Sequence, residues 1–202
     1  MTYNISAAIL AGGESTRFKG VPKTEIIVGG RKIISRMLDV IRDIFDEIII
    51  VANSPERFTD TGVCKVVKDV YPNKGPLGGI HSAMKASGKE ALFVFAGDMP
   101  FLDNSLIISQ INIYSAGSAS AIVPVMNSLE EPLHSIYRNS LLSETEKLLE
   151  EPGIPSVKDF LKRINPLYID LKTSPENKRA FMNINYPSDI DEAERNIKQI
   201  LF

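Results

Sequence analysis

Short, continuous apolar runs recur along this chain: ISAAIL (5–10), EIIIVA (47–52), ALFVFA (91–96) and ASAIVPV (119–125). Each is too brief for a helix and too unbroken for a strand with one wet face. They read as strands buried on both sides, the mark of a parallel sheet. Between them lie segments of helical period. RKIISRMLDVIRDIF (31–45) places Ile33, Ile34, Met37, Leu38, Ile41 and Ile44 on one face. Further helices are expected over 80–87, 102–115, 140–151, 156–164 and 188–200. Shorter strands are expected over 24–28, 64–68 and 166–171, with LHSIYR (133–138) as an alternating strand at the sheet edge. Strands alternating with helices at short intervals give βαβ units, hence an α/β fold with a mainly parallel, twisted sheet and helices on both faces. No linker, repeat or low-complexity tract divides the sequence, so residues 1–202 are expected to form a single domain.

The composition narrows what such a fold could bind. With a formal net charge of -2, no global field would hold the chain on nucleic acid or an anionic membrane, so any anion must be gripped locally. The single cysteine, Cys64, excludes an internal disulfide framework and opens an apolar run, as a packed thiol would. The first residues, MTYNISAAIL, lack the basic segment and long apolar stretch of a secretory signal. No segment approaches the ~20 apolar residues of a membrane helix. A cytoplasmic location is expected.

In open parallel sheets, ligands bind beyond the carboxyl ends of the strands. Polar and glycine clusters fall there: Gly12-Gly13 and a basic loop after the first strand, Asn53 after EIIIVA, Asp69 after CKVVK, and Gly97-Asp98-Met99-Pro100 after ALFVFA. Each cluster alone also fits an ordinary turn; their agreement points to a site. In LAGGESTRFKGVPK (10–23), glycines let the backbone approach a ligand and aim its amides, while Arg17, Lys19 and Lys23 supply cations for phosphate oxygens. The loop lacks the GK[ST] ending of a Walker A sequence and the spacing of GxGxxG. A helix starting near Ile80 would add the positive end of its dipole. Asp98, at a strand end, is the best candidate carboxylate for Mg²⁺, which prefers hard oxygen donors.

LAGGESTRFKGVPK resembles the signature loop of the nucleotidyltransferases. VVKD ending at Asp69, GPLGGIHSAM (75–84), FAGDMPFL (95–102), EPLHSIYR (131–138) and FMNINYPSDIDEA (181–193) follow in the order expected of MobA-like molybdenum cofactor guanylyltransferases. The resemblance spans nearly the whole chain and implies a Rossmann-like nucleotidyltransferase fold. It implies transfer of GMP from MgGTP to the terminal phosphate of molybdopterin carrying molybdenum, with release of pyrophosphate. By position, Leu10, Ala11 and Gly12, with Gly13 in the same turn, would contact the nucleotide through backbone. Lys23 would meet the phosphates, Asp69 the nucleoside end and Asp98 the Mg²⁺; Asn183 and Asn185 would lie toward the pterin. Arg17, Lys23 and Asp98 form the expected catalytic set. Nucleic acid and membrane are not expected partners, whereas transient contact with molybdenum cofactor enzymes or their chaperones is.

Competing features remain beside that assignment. The Pro22-Lys23 ending favours a cytidylyl- or uridylyltransferase acting on another phosphorylated acceptor. A non-catalytic nucleotide sensor is a third possibility, disfavoured because Lys23 and Asp98 occur together. His134 reads as a structural or rim residue, His81 as a cap-region side chain, and Glu130-Glu131 as a solvated turn. With no His or Cys cluster at ligand spacing, a zinc site is unsupported.

Overall fold

The computed structural model describes residues 3–12, 16–18, 20–58, 61–62 and 64–201. In chain order the elements are β1 (Ile5–Leu10), β2 (Ile27–Val28), β3 (Arg31–Lys32), α1 (Ile33–Ile41), β4 (Ile48–Val51), β5 (Lys65–Val67), α2 (Gly75–Ala86) and β6 (Ala91–Ala96). Then come α3 (Asn104–Ala116), β7 (Ala121–Met126), β8 (Leu129–Glu130), β9 (His134–Arg138), α4 (Leu142–Glu150), α5 (Val157–Ile164), β10 (Leu167–Asp170), α6 (Pro175–Ala180) and α7 (Pro187–Leu201). One sheet runs in the order β10-β7-β9-β6-β1-β4-β5, with β8 paired to β7. β1 lies parallel to both β4 and β6, β4 to β5 and β10 to β7, while β9 runs antiparallel to its two neighbours. The expected α/β architecture with a mostly parallel sheet is the observed one.

Period-2 alternation along the central strands explains why their sequences are apolar almost throughout, with Ser6 the polar residue in β1. Ala7, Ile9, Phe93 and Phe95 face the layer formed by α1, α3 and α7, whereas Ala8, Leu92 and Val94 face α2, α4 and α5. Phe93 and Phe95, two residues apart on one face, stack with ring centroids 4.5 Å apart. Fully burying a side chain of this kind contributes about 1.5–3 kcal/mol.

Several local expectations are corrected. Only Ile27–Val28 of the expected 24–28 strand pairs, because Lys23–Glu25 forms a 3₁₀ turn. The chain then doubles back through Gly29 and Gly30, both at positive φ (57° and 74°), so Arg31–Lys32 pair with β2 and α1 starts only at Ile33. α2 begins at Gly75, not near Ile80, with Pro76 in its first turn. β9 is an interior strand between β6 and β7. Its polar residues are tolerated because Ser135 Oγ donates to the Glu131 carbonyl at 2.7 Å and Tyr137 Oη to the Pro132 carbonyl at 2.8 Å. β10 takes the edge, leaving Leu167 and Tyr168 exposed. α6 was not anticipated: PENKRA (175–180) carries little apolar periodicity, and Ser174 caps it by accepting from Asn177 N–H.

Candidate active site

The carboxyl ends of β1, β4, β5 and β6 open into a cleft of about 790 Å³ beneath the amino end of α2. Close backbone approach builds its floor. Gly97 N–H donates to the Leu10 carbonyl at 3.0 Å, and Ala11 N–H donates to the Val51 carbonyl at 2.8 Å. A side chain at Gly97 would put Cβ 2.7 Å from Leu10 O and 2.8 Å from Thr24 Cγ2, so only glycine fits there. Asn53 Nδ2 donates to the Gly12 carbonyl at 2.8 Å, which pins the start of the loop. Leu10, Ala11 and Gly12 line the cleft. Gly13 and Lys19 lie outside the described residues.

The GPLGG stretch, which the helix expected from near Ile80 left outside, is the first turn of α2 and presses onto this floor. At Gly78 a Cβ would stand 2.8 Å from the Tyr71 carbonyl and 3.2 Å from both Asp69 carboxylate oxygens; at Gly79 it would stand 3.1 Å from Leu10 Cδ2. These approaches bring unpaired first-turn N–H groups, with the positive end of the helix dipole, to the cleft. Asp69 is oriented by the Tyr71 N–H and the Ser82 hydroxyl, each 3.0 Å from Oδ1, and it lines the cleft.

At the centre, Lys23 Nζ donates to Asp98 Oδ2 at 2.7 Å and to Asn185 Oδ1 at 2.6 Å. The Lys23 and Asp98 side chains are 26% and 14% exposed, enough for a ligand to reach both. Ile184 N–H donates to the Asp98 carbonyl at 2.9 Å, which holds the 183–185 segment against the β6 end, with Asn183 and Asn185 lining the cleft. Arg17 does not line the cleft. It is exposed, with its guanidinium 4.3 Å from the centroid of the Tyr186 ring.

Both histidines are structural. His134 is fully buried, edge-on to Phe93, Phe95 and Phe181, and burial lowers its pKa to about 4. His81 is not a cap residue. It lies buried within α2, its Nε2 3.1 Å from Glu146 Oε1 and its ring against Tyr71. Burial likewise raises the Cys64 thiol pKa, in keeping with a packed cysteine. Glu130-Glu131 is not a solvated turn: Glu130 pairs within β8, and Glu131 is half-buried in the cleft wall. Burial pushes the Glu131 carboxyl up to about 7. Sequence reasoning missed Glu131 because an acidic pair in a turn carries no periodic signal. Its position directly before Pro132 and the buried β9 was the available clue. Among the described residues no group of three or more His, Cys, Asp or Glu is arranged to hold a metal ion.

Residues 7–167 match the family described as the MobA-like NTP transferase domain. A protein of Natranaerobius thermophilus named a probable molybdenum cofactor guanylyltransferase is 36% identical over 202 aligned residues, covering 96% of this chain and 97% of that protein. A protein of the same name from Clostridium perfringens is 33% identical over 198 residues, covering 96% of each. In fold, the chain is similar to the crystal structure of molybdopterin-guanine dinucleotide biosynthesis protein A from Archaeoglobus fulgidus. That match has a TM-score of 0.80 at 24% identity, over 96% of this chain and 99% of that one. On the extent of these matches, the chain belongs to the MobA-like NTP transferase family and is a nucleotidyltransferase.

Proposed function

We propose that the protein transfers GMP from MgGTP to the terminal phosphate of molybdopterin carrying molybdenum. An oxygen of the acceptor phosphate attacks the α-phosphorus of GTP. The bond from that phosphorus to the bridging oxygen breaks, and pyrophosphate leaves with the electron pair. The observation that carries this is the Lys23–Asp98–Asn185 cluster at the centre of the cleft. It stands between a backbone-lined half at β1, β4 and β5 and a second half walled by Glu131–Leu133 and the 183–185 segment. Two anionic substrates can meet there. The names of the relatives support the choice of GTP and molybdopterin.

The acceptor phosphate is already a nucleophile, so the protein's task is positioning and absorbing charge. Backbone at Leu10, Ala11 and Gly12 approaches the nucleotide, and Asp69, fixed by Tyr71 and Ser82, faces its nucleoside end. Lys23 exchanges a side-chain partner for a phosphate oxygen, and Arg17 adds positive charge from the rim. The donor set fits Mg²⁺: Asp98 offers one partly exposed carboxylate and Asn185 an amide oxygen, hard donors for an ion that keeps phosphate and water ligands. Asp98 would hold it, and the bound ion would supply charge against the triphosphate. Among the described residues no helix is long and apolar enough to cross a membrane. A cytoplasmic protein that passes its product to molybdenum cofactor enzymes or their chaperones completes the proposal.

Pyrophosphate release with Mg²⁺, molybdopterin and each of the four NTPs tests this. GTP is expected to support turnover best. Preference for CTP, the outcome favoured by the Pro22-Lys23 ending, would move the protein to cytidylyl transfer, and no turnover with any NTP would overturn the proposal.

A further inference from the structure

Glu131 lines a cleft suited to polyanions, and among the described residues no cation pairs with its carboxylate. Burial is the cause of its raised pKa, and among the described residues neither a cation nor a hydrogen-bond donor offsets it. Its backbone is fixed independently of the side chain. The Glu131 N–H donates to the Pro124 carbonyl at 2.9 Å, and its carbonyl accepts from His134 N–H at 3.0 Å. The carboxylate is thus presented by a rigid turn, and a half-buried carboxylate with no donor carries a desolvation cost that a ligand donor would relieve. The ionised carboxylate would repel phosphate, because two anions would be forced together.

Its place in the sheet selects the substrate half. Ala96 N–H donates to the Leu133 carbonyl at 2.9 Å, so residues 131–133 flank the carboxyl end of β6 from the β9 side. Asp69 follows β5, four strands away in the order β9-β6-β1-β4-β5. At about 4.8 Å per strand their strand positions are roughly 19 Å apart, with Asp98 after the intervening β6, which places the two residues at opposite ends of the cleft. Resting on the function proposed above, with the nucleoside at the Asp69 end, we infer that Glu131 reads the acceptor's heterocycle by accepting two hydrogen bonds from the adjacent N–H and amino donors of a 2-amino-4-oxopyrimidine edge. A carboxylate matches such a donor pair in two-point geometry, as it matches a guanidinium. Glu131 then serves as a specificity residue for the pterin and takes no part in the phosphoryl chemistry.

The test is a fluorescence titration of the full-length protein with free pterin (2-amino-4-oxopteridine) and with lumazine, which has a 2-oxo group in place of the amine. Pterin should bind the wild type at least tenfold more tightly than lumazine. Glu131→Gln, which turns one acceptor oxygen into a donor, should weaken pterin at least tenfold while leaving the thermal melt and GTP affinity within about twofold of wild type. Glu131→Asp, which keeps the carboxylate, should recover part of the loss and guards against a variant that merely misfolds. Equal affinity for pterin and lumazine, no pterin binding by the wild type, or a loss confined to GTP would each overturn the inference. Failure of the parent proposal is read separately, as absent pyrophosphate release by the wild type.

Discussion

Lys23 holds Asp98 and Asn185 at once, so its removal acts on more than one neighbour. Because the ammonium would meet phosphate in both ground and transition states, Lys23→Ala is expected to raise the nucleotide KM and lower kcat together, each about tenfold or more. Asp98→Asn keeps size and one oxygen acceptor but loses the charge that would offset Mg²⁺. Turnover should fall roughly a hundredfold, the equivalent of ~2–4 kcal/mol of transition-state stabilisation. The melt should barely shift, since a partly exposed ion pair contributes only about 0–1 kcal/mol. Turnover titrated against Mg²⁺ beside thermal unfolding checks this; normal turnover with a lowered melting temperature would make Asp98 a turn residue. His134 gives a pH signature. Its folded pKa, about 4, lies below the ordinary 6.5, so the unfolded chain binds the proton first and stability falls as pH drops from 6.5 through 4. Over that window the loss is on the order of 3 kcal/mol. Denaturant unfolding of His134→Phe across the same pH range should show a flatter acid limb than wild type.

The element that most shapes the cleft is the first turn of α2, and its fit depends on missing side chains. Gly78→Ala would drive Cβ to 2.8 Å from the Tyr71 carbonyl and 3.2 Å from the Asp69 oxygens. Neither is the yielding end of a long side chain, so an overpacking cost of ~1–3 kcal/mol is expected, with weaker nucleotide binding as Asp69 is displaced. Gly88→Ala is the control. Its Cβ would meet Glu47 Oε1 at an ordinary 3.5 Å, and the variant should melt at or slightly above the wild-type temperature. Equal destabilisation by both substitutions would argue against close approach at Gly78 as the cause.

For the molecule as a whole, the segment after Phe181 is both core and site. Ile184 and Ala193 are fully buried, and Asn185 reaches Lys23 across 162 positions of sequence. Deleting residues 183–202 should abolish cooperative melting. Asn185→Ala should leave the melt within about 4 °C of wild type, because a net hydrogen bond contributes only ~1 kcal/mol, yet lower turnover by freeing Lys23. Circular dichroism melts paired with pyrophosphate release separate the two. A deletion that melts as sharply as the intact chain would place the segment outside the core.

The sequence by itself determined the elements whose signal is local. β1, β4 and β6 were legible because both their faces are buried, which leaves Ser6 as the one polar residue in the three strands. The strand-end placement of Gly12, Asn53, Asp69 and Asp98 was legible because glycine and polar clusters mark where strands stop. What only the tertiary structure decided were matters of approach between distant parts. GPLGG reads as a loop until Asp69 and Leu10 are seen against Gly78 and Gly79. β9 reads as an edge until Glu131 and Pro132 are seen accepting from its hydroxyls. Glu131 reads as solvated until the cleft wall closes around it. Periodicity reports which face of an element is apolar. It cannot report which atoms another element brings within 3 Å, because that distance depends on packing summed over the whole sheet.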